Sequence, residues 1–76
     1  MKDIKKNSKE IIRVADNEYQ GHKYVDLRVF YYDEASAEHR PTKKGITIPY
    51  GALNQVIEAL TELKPEEKRE DHSEED

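Results

Sequence analysis

The chain has 76 residues, of which 34% are hydrophobic and 39% are charged, and it contains no cysteine. That length holds one domain with a small core, and burial against a second copy is the expected way to stabilise it. The composition excludes disulfides and disfavours a zinc or iron–sulfur site, and no apolar run predicts a membrane span or a secretory signal. We therefore expect an intracellular protein of the cytoplasm or nucleoid, or of the nucleus in a eukaryote.

The formal net charge of −4 is unevenly distributed. Residues 66–76 hold seven acidic and two basic side chains, a balance of 2 − 7 = −5, which leaves +1 for residues 1–65. Residues 65–76 are therefore predicted to form a disordered acidic tail. The tail is either a solvated charge run that aids solubility, the favoured interpretation, or a nucleic-acid mimic whose deletion would tighten binding at low salt.

The first elements along the chain are predicted to be strands. Residues 1–8 are polar and lysine-rich and suit a basic arm or a short edge strand, and the domain itself is predicted over residues 9–64. Its first strand runs from Glu10 to Asp16 and enters a turn. Gly21 supplies the backbone freedom that a tight hairpin needs.

The clearest pattern in the chain is an alternation of side chains from Lys23 to Tyr32, which predicts a strand. A polar loop from Asp33 to His39 is expected next, and Pro41 would flank a short strand from Lys44 to Ile48. One face of the long strand is aliphatic and the other mixes aromatic rings with charge. The first face carries Val25, Leu27, Val29 and Tyr31, and the second carries Tyr24, Asp26, Arg28, Phe30 and Tyr32.

A single helix is predicted to close the domain, because Pro49 suits its first turn and Pro65 ends it. Apolar residues recur between these prolines at helical spacing. One narrow stripe cannot both cover a sheet and be shielded by so few other elements, so we expect helices of two copies to pair in a homodimer. The predicted dimer interface is Leu53, Val56, Ile57, Leu60 and Leu63.

The sequence offers no catalytic constellation. It has no glycine-rich phosphate loop and no cysteine nucleophile, and no serine is paired with a histidine at a recognised spacing. His22, His39 and His72 are scattered over the chain and are predicted to be solvated side chains, not metal ligands. We expect no enzymatic activity, no metal and no cofactor.

Aromatic and basic side chains on the predicted strands favour single-stranded nucleic acid, which is held by rings that stack on bases and cations that follow phosphates. A simpler interpretation is that tyrosines are ordinary strand formers on a half-buried face. The alternative function is a protein-interaction module that uses the same aromatic face without nucleic acid as a ligand.

Three segments carry a resemblance to a known family: Tyr19–Gly21, Val25–Tyr31 and Arg40–Ile48. In order and spacing they resemble the C-terminal domain of the transcriptional coactivator family called positive cofactor four, over roughly residues 9–63. The resemblance implies an α+β fold, a four-stranded curved antiparallel sheet followed by one C-terminal helix, which dimerises through the helices. It also implies binding of single-stranded DNA with little sequence preference. RNA is a second candidate ligand, transcription or replication proteins are candidate partners, and the process served is transcription, replication or repair.

The resemblance also implies roles for individual positions. Tyr19 takes the place of the hairpin aromatic that stacks on a base, and Tyr31 takes that of a tryptophan. Gly21 and Gly45 match glycines where the backbone turns or approaches closely. The hairpin is less basic than is usual in the family, and Tyr31 has a smaller stacking surface than tryptophan, so weaker or more salt-sensitive binding is expected. Thr42 replaces a glycine, which is expected to alter the loop without abolishing it. The predicted nucleic-acid-binding residues are Tyr19, Gln20, His22, Arg28, Tyr31, Arg40, Lys43 and Lys44.

Overall fold

The computed structural model describes residues 1–65, so residues 66–76 of the predicted acidic tail lie outside the described part of the chain. Four strands form one antiparallel sheet in the order β1-β2-β3-β4, and one helix follows. The elements are β1 (Lys2–Lys5), β2 (Glu10–Tyr19), β3 (His22–Asp33), β4 (Glu38–Pro49) and α1 (Tyr50–Glu62). The predicted order of four antiparallel strands and a closing helix is confirmed.

A two-residue turn joins β2 to β3. Gln20 and Gly21 have φ angles of 51° and 82°, so both lie in the left-handed region. This is the backbone of a type I′ turn, whose twist matches that of the flanking strands. Tyr19 pairs directly with His22 across it. The turn therefore holds these two side chains side by side at one end of the sheet.

The connection between β3 and β4 is shorter than the sequence predicts. β3 extends to Asp33 and β4 already begins at Glu38, whereas a loop was expected as far as His39 and a strand only from Lys44. Pro41 lies inside β4, opposite Phe30. Proline has no backbone N–H to donate to a neighbouring strand. It is tolerated there because β4 is an edge strand.

A β-bulge interrupts the pairing of β3 with β4. Arg28 pairs with Gly45 and Phe30 pairs with Pro41, so the three residues from Thr42 to Lys44 lie opposite Val29 alone. A bulge of this kind bends its strand and redirects side chains, and it is common at sheet edges.

The register divides the sheet into two faces, because side chains alternate along each strand. We call one the polar face and the other the apolar face. The polar face carries Arg13, Tyr19, Tyr24, Asp26, Arg28, Phe30 and Tyr32. The apolar face carries Ile12, Val14, Val25, Leu27, Val29, Tyr31, Ile46 and Ile48.

The helix covers little of the apolar face. It contacts β3 and β4, but Ile48, at 5% exposure, is the one buried hydrophobic side chain among the described residues. Within the predicted dimer interface Leu53 and Val56 are half-buried, whereas Leu60 and Leu63 are 58% and 77% exposed. The single chain thus leaves most of its apolar helix stripe in water.

Candidate nucleic-acid interface

Arg28 lies at the centre of the polar face and is held in place on two sides. Its Nη2 and Nε donate to the two carboxylate oxygens of Asp26, at 3.0 and 3.2 Å. Its Nη1 donates to the backbone carbonyl of Thr42, at 3.1 Å. The hydrogen bonds with Asp26 raise the pKa of Arg28 above its usual value. The guanidinium is therefore charged and pre-oriented before any ligand arrives.

Thr42 is the residue that builds the bulge. Its Oγ1 donates to the backbone carbonyl of Val29 at 2.7 Å and accepts from the backbone N–H of Lys44 at 3.1 Å. The side chain thus replaces a ladder hydrogen bond that the bulge removes from Val29. In the resemblance to the family, Thr42 is only a departure from glycine. In the fold, the Thr42 side chain fixes the backbone of the two lysines that follow.

Lys43 and Lys44 lie on this bulge, at the outer edge of the sheet. Both side chains are exposed, and within residues 1–65 neither forms an ion pair. The two lysines directly follow Thr42, whose backbone carbonyl accepts a hydrogen bond from Arg28, so this edge of the sheet carries cations suited to phosphate. The structure brings together the predicted residues Arg28, Lys43 and Lys44.

Gly45 allows the Arg28 side chain to lie across β4. A Cβ at this position would stand 2.6 Å from the carbonyl oxygen of Leu27 and 2.9 Å from the Cα of Arg28. Such distances leave room for hydrogen only. The requirement at Gly45 is close approach, whereas at Gly21 it is a positive φ, with open space around the position.

The hairpin end of the polar face carries the predicted residues Tyr19, Gln20 and His22. All three are exposed, and Tyr19 and His22 border a shallow cavity of about 400 Å³ together with Tyr24, Thr47 and Pro49. A tyrosine ring beside such an open, largely apolar hollow can stack on a nucleic-acid base.

Tyr31 and Arg40 lie elsewhere, on the opposite face from Arg28. They pair with each other across β3 and β4, and nine residues separate Tyr31 from His22, a distance of roughly 30 Å along the strand. Arg40 Nε donates to Asp33 at 2.7 Å, and this bond is the main reason why the pKa of Asp33 is lowered. The structure therefore does not bring Tyr31 and Tyr19 to one base within a single chain.

Arg13 is a further cation of the polar face, one that sequence reasoning missed. Its Nε and Nη2 donate to the two carboxylate oxygens of Asp3, at 2.7 and 3.0 Å. Its Cζ lies 4.4 Å from the centre of the Phe30 ring, a cation–π geometry. One face of that ring is thus covered. The signal available in the sequence was an arginine among apolar residues in a predicted strand. The structure adds that Arg13 pairs directly with Arg28.

Other kinds of site have little support within residues 1–65. That part of the chain contains no group of three or more histidine, cysteine, aspartate or glutamate side chains placed to hold a metal ion. It also contains no helix with the length and apolar character that crossing a bilayer requires.

Comparison with known proteins assigns this geometry to a family. Residues 6–59 match the family model described as Transcriptional Coactivator p15 (PC4). No curated protein matches the chain.

Two solved structures illustrate the likeness. BPSL1147, a PC4 homolog from Burkholderia pseudomallei, is 33% identical, with a TM-score of 0.78 over 88% of this chain and 89% of that one. The bacteriophage T5 homolog of the eukaryotic coactivator PC4, implicated in recombination-dependent DNA replication, is 27% identical, with a TM-score of 0.63 over 82% of this chain and 74% of that one.

Proposed function

The chain belongs to the transcriptional coactivator p15 (PC4) family, and from this premise we propose that it binds single-stranded DNA without sequence preference, as a homodimer. Membership of the family implies nucleic-acid binding and a role in transcription or replication. The observation that carries the proposal is the bulge, where Thr42 fixes two free lysines beside the oriented guanidinium of Arg28.

The proposed path of the DNA crosses the outer edge of the sheet. On the polar face Tyr19 offers a ring for stacking, and Arg28 offers a cation. Lys43 and Lys44 lie on the bulge at the β4 edge, and Tyr31 with Arg40 continues the path on the other side. Rings for bases and cations for phosphates are the combination that sequence-tolerant single-strand binders use.

The proposed homodimer explains the exposed helix stripe. Ile57, Leu60 and Leu63 are each at least half exposed, and Ile46 of β4 is 58% exposed. Each fully buried aliphatic side chain contributes about 1.5–3 kcal/mol relative to an exposed one. Pairing two stripes buries these side chains in both copies. Such burial is needed because Ile48 is the one buried hydrophobic side chain among residues 1–65.

The experiment is a titration of a labelled 20-nucleotide DNA strand, followed by fluorescence anisotropy from low to high salt. Arg28 and Arg40 already bind carboxylates, so among these four predicted cations Lys43 and Lys44 are the two free to displace counterions. Two phosphates neutralised per protomer give a log–log slope of about −1.4, against about −2.8 if all four cations neutralise phosphates.

Replacing Lys43 and Lys44 by glutamine should reduce the magnitude of the log–log slope by about 1.4. The same change at Lys2 and Lys64, away from the bulge, is the matched control. Duplex DNA and single-stranded RNA of equal length are run in parallel, and weaker duplex binding is expected. A wild-type protein that fails to bind the 20-mer at low salt contradicts the proposal.

The cellular role is proposed at the level that the relatives allow. The family description names transcriptional coactivation, and the phage T5 homolog is implicated in recombination-dependent DNA replication. Both processes expose unpaired DNA, so we propose that this chain acts on unpaired DNA in one of them.

A further inference from the structure

We propose that a second cavity, at the end of the sheet farthest from the hairpin, holds one nucleotide of the bound strand. Its base would stack on Tyr32, and its phosphate would meet Lys5 and Lys9. This inference rests on the proposed function, and it adds a site to the predicted set.

The cavity lies where the turn between β1 and β2 meets the ends of β3 and β4. Its volume is about 780 Å³, within the range of sites for small organic ligands. It is open to solvent, as a site for one nucleotide of a longer strand must be. Its lining residues are Lys5, Asn7, Ser8, Lys9, Glu10, Ile11, Tyr32, Glu34 and His39.

Tyr32 provides the stacking surface. Tyr32 is 44% exposed, and the His39 ring meets its ring edge to face, with the ring centres 5.4 Å apart and the planes at 69°. Such a contact fixes the orientation of a ring without covering both of its faces. Tyr32 lies on the same face as Arg28, four residues or about 13 Å further along β3. A strand on the polar face can therefore reach it.

The turn that carries Lys9 is held rigidly beside the ring. The backbone N–H of Tyr32 donates to the carbonyl of Lys9 at 2.9 Å. Asn7 Oδ1 accepts from the backbone N–H groups of Lys9 and Glu10, each at 2.9 Å. Lys9 is thus anchored by its backbone, and its ammonium group is left for a ligand.

The charges of the cavity favour a phosphate. The Glu10 carboxylate accepts hydrogen bonds from Asn7 and Lys6, which lower its pKa and occupy it. Within residues 1–65 Lys5 and Lys9 form no ion pair, and Glu34 is the remaining acid in the lining. Two free cations therefore outweigh one carboxylate.

The test compares Tyr32→Leu with Tyr50→Leu in the anisotropy titration of the 20-nucleotide strand. Tyr50 is equally exposed, at 46%, but lies at the start of the helix. Tyr32→Leu should weaken binding about 5- to 140-fold, the range for loss of one stacked base, and Tyr50→Leu should not. Thermal unfolding of both variants checks that they fold.

Glu34→Gln tests the same site in the opposite direction. Removing the one opposing acid should tighten binding about two- to fivefold at low salt and leave it unchanged at high salt. Glu58→Gln on the helix makes the same charge change away from the cavity. If Tyr32→Leu fails to fold, Glu34→Gln alone tests whether the cavity binds a nucleotide.

The outcomes separate the two proposals. If the wild-type protein binds and neither Tyr32→Leu nor Glu34→Gln changes the affinity, this inference is wrong and single-strand binding stands. If the wild-type protein does not bind, the proposed function fails, and the inference fails with it.

Discussion

The two faces of the sheet differ in how complete they are within one chain. On the polar face both arginines are bonded to carboxylates of the same chain, Arg28 to Asp26 and Arg13 to Asp3. On the apolar face one side chain, Ile48, is buried among the described residues, and most of the helix stripe stays exposed. On the polar face, where the proposed DNA path begins, the arginines are held in place before DNA binds. On the apolar side, hydrophobic side chains of the helix remain exposed in the single chain.

This difference separates the effects that substitutions should have. Changes on the helix stripe should act first on association and stability, because apolar burial is the main favourable term in folding and association. Changes in the exposed side chains proposed to contact DNA should act first on DNA affinity. The following predictions test that separation, from the largest expected effect to the smallest.

Leu60→Glu should have the largest effect, because it places a charge in the proposed interface of both copies. Loss of the two leucines alone removes about 3–6 kcal/mol per dimer. Size-exclusion chromatography should show monomer or unfolded chain in place of dimer. Thr61→Glu, one residue further on, is the control and should remain dimeric. A Leu60→Glu protein that stays a stable dimer would show that the stripe is not the interface.

Gly45→Ala should come next, because its new methyl group would meet backbone atoms of Leu27 and Arg28 closer than 3.0 Å. Overpacking of this kind costs about 1–3 kcal/mol of unfolding free energy. Gly51→Ala is the matched control, since nothing lies within 4 Å of its new methyl group and alanine favours a helix. Urea unfolding should show Gly45→Ala destabilised and Gly51→Ala slightly stabilised.

Tyr19→Leu and Tyr31→Leu compare the two faces directly in DNA binding. Each should cost about 1–2 kcal/mol of binding free energy if the path crosses the sheet edge, since leucine keeps apolar contact but loses the ring. Anisotropy titrations of the 20-mer give both values. If Tyr31→Leu binds like the wild type while Tyr19→Leu is weakened, the path stays on the polar face and Tyr31 is not a site residue.

The smallest expected effect is a loosening of β1 at acidic pH. The hydrogen bonds from Arg13 hold the pKa of Asp3 below its ordinary value of 3.8. The stabilisation that Asp3 gives is therefore complete above about pH 3.8 and is lost as the pH falls through the lowered value. Hydrogen exchange of β1 amides should accelerate about two- to fivefold over that window, relative to β3. In Asp3→Asn this extra acceleration should be absent.

Much of the fold follows from local patterns in the sequence. The alternation in β3 and the helical spacing from Leu53 to Leu63 locate the long strand and the helix correctly. The bulge could not be predicted, because it depends on how two strands pair and not on either strand alone. Residues 38–43 contain a proline and exposed charges and do not alternate between polar and apolar side chains. The sequence therefore predicts a loop as far as His39 and a strand only from Lys44.

The candidate site was predictable to a lesser extent. Residue types and spacing locate the cations of β3 and β4, and the structure brings Arg28, Lys43 and Lys44 together. The alternation in β3 already places Tyr31 on the face opposite Arg28, but the sequence does not reveal that Arg40 lies on that face beside Tyr31, nor that Thr42 shapes the lysine backbone. Arg13 and Tyr32 depend on partners from other strands, Asp3 and His39, so their local surroundings appear only in the folded chain.

The bulge in β4 also bears on the tendency of the sheet edge to aggregate. Within the described residues β4 is an edge strand of 12 residues, and long edges invite other chains to add as a further strand. Here Pro41 removes a donor, the bulge breaks the row of backbone groups, and Lys43 and Lys44 repel their counterparts on another copy. The edge proposed to attract phosphate therefore also guards against fibrillar aggregation.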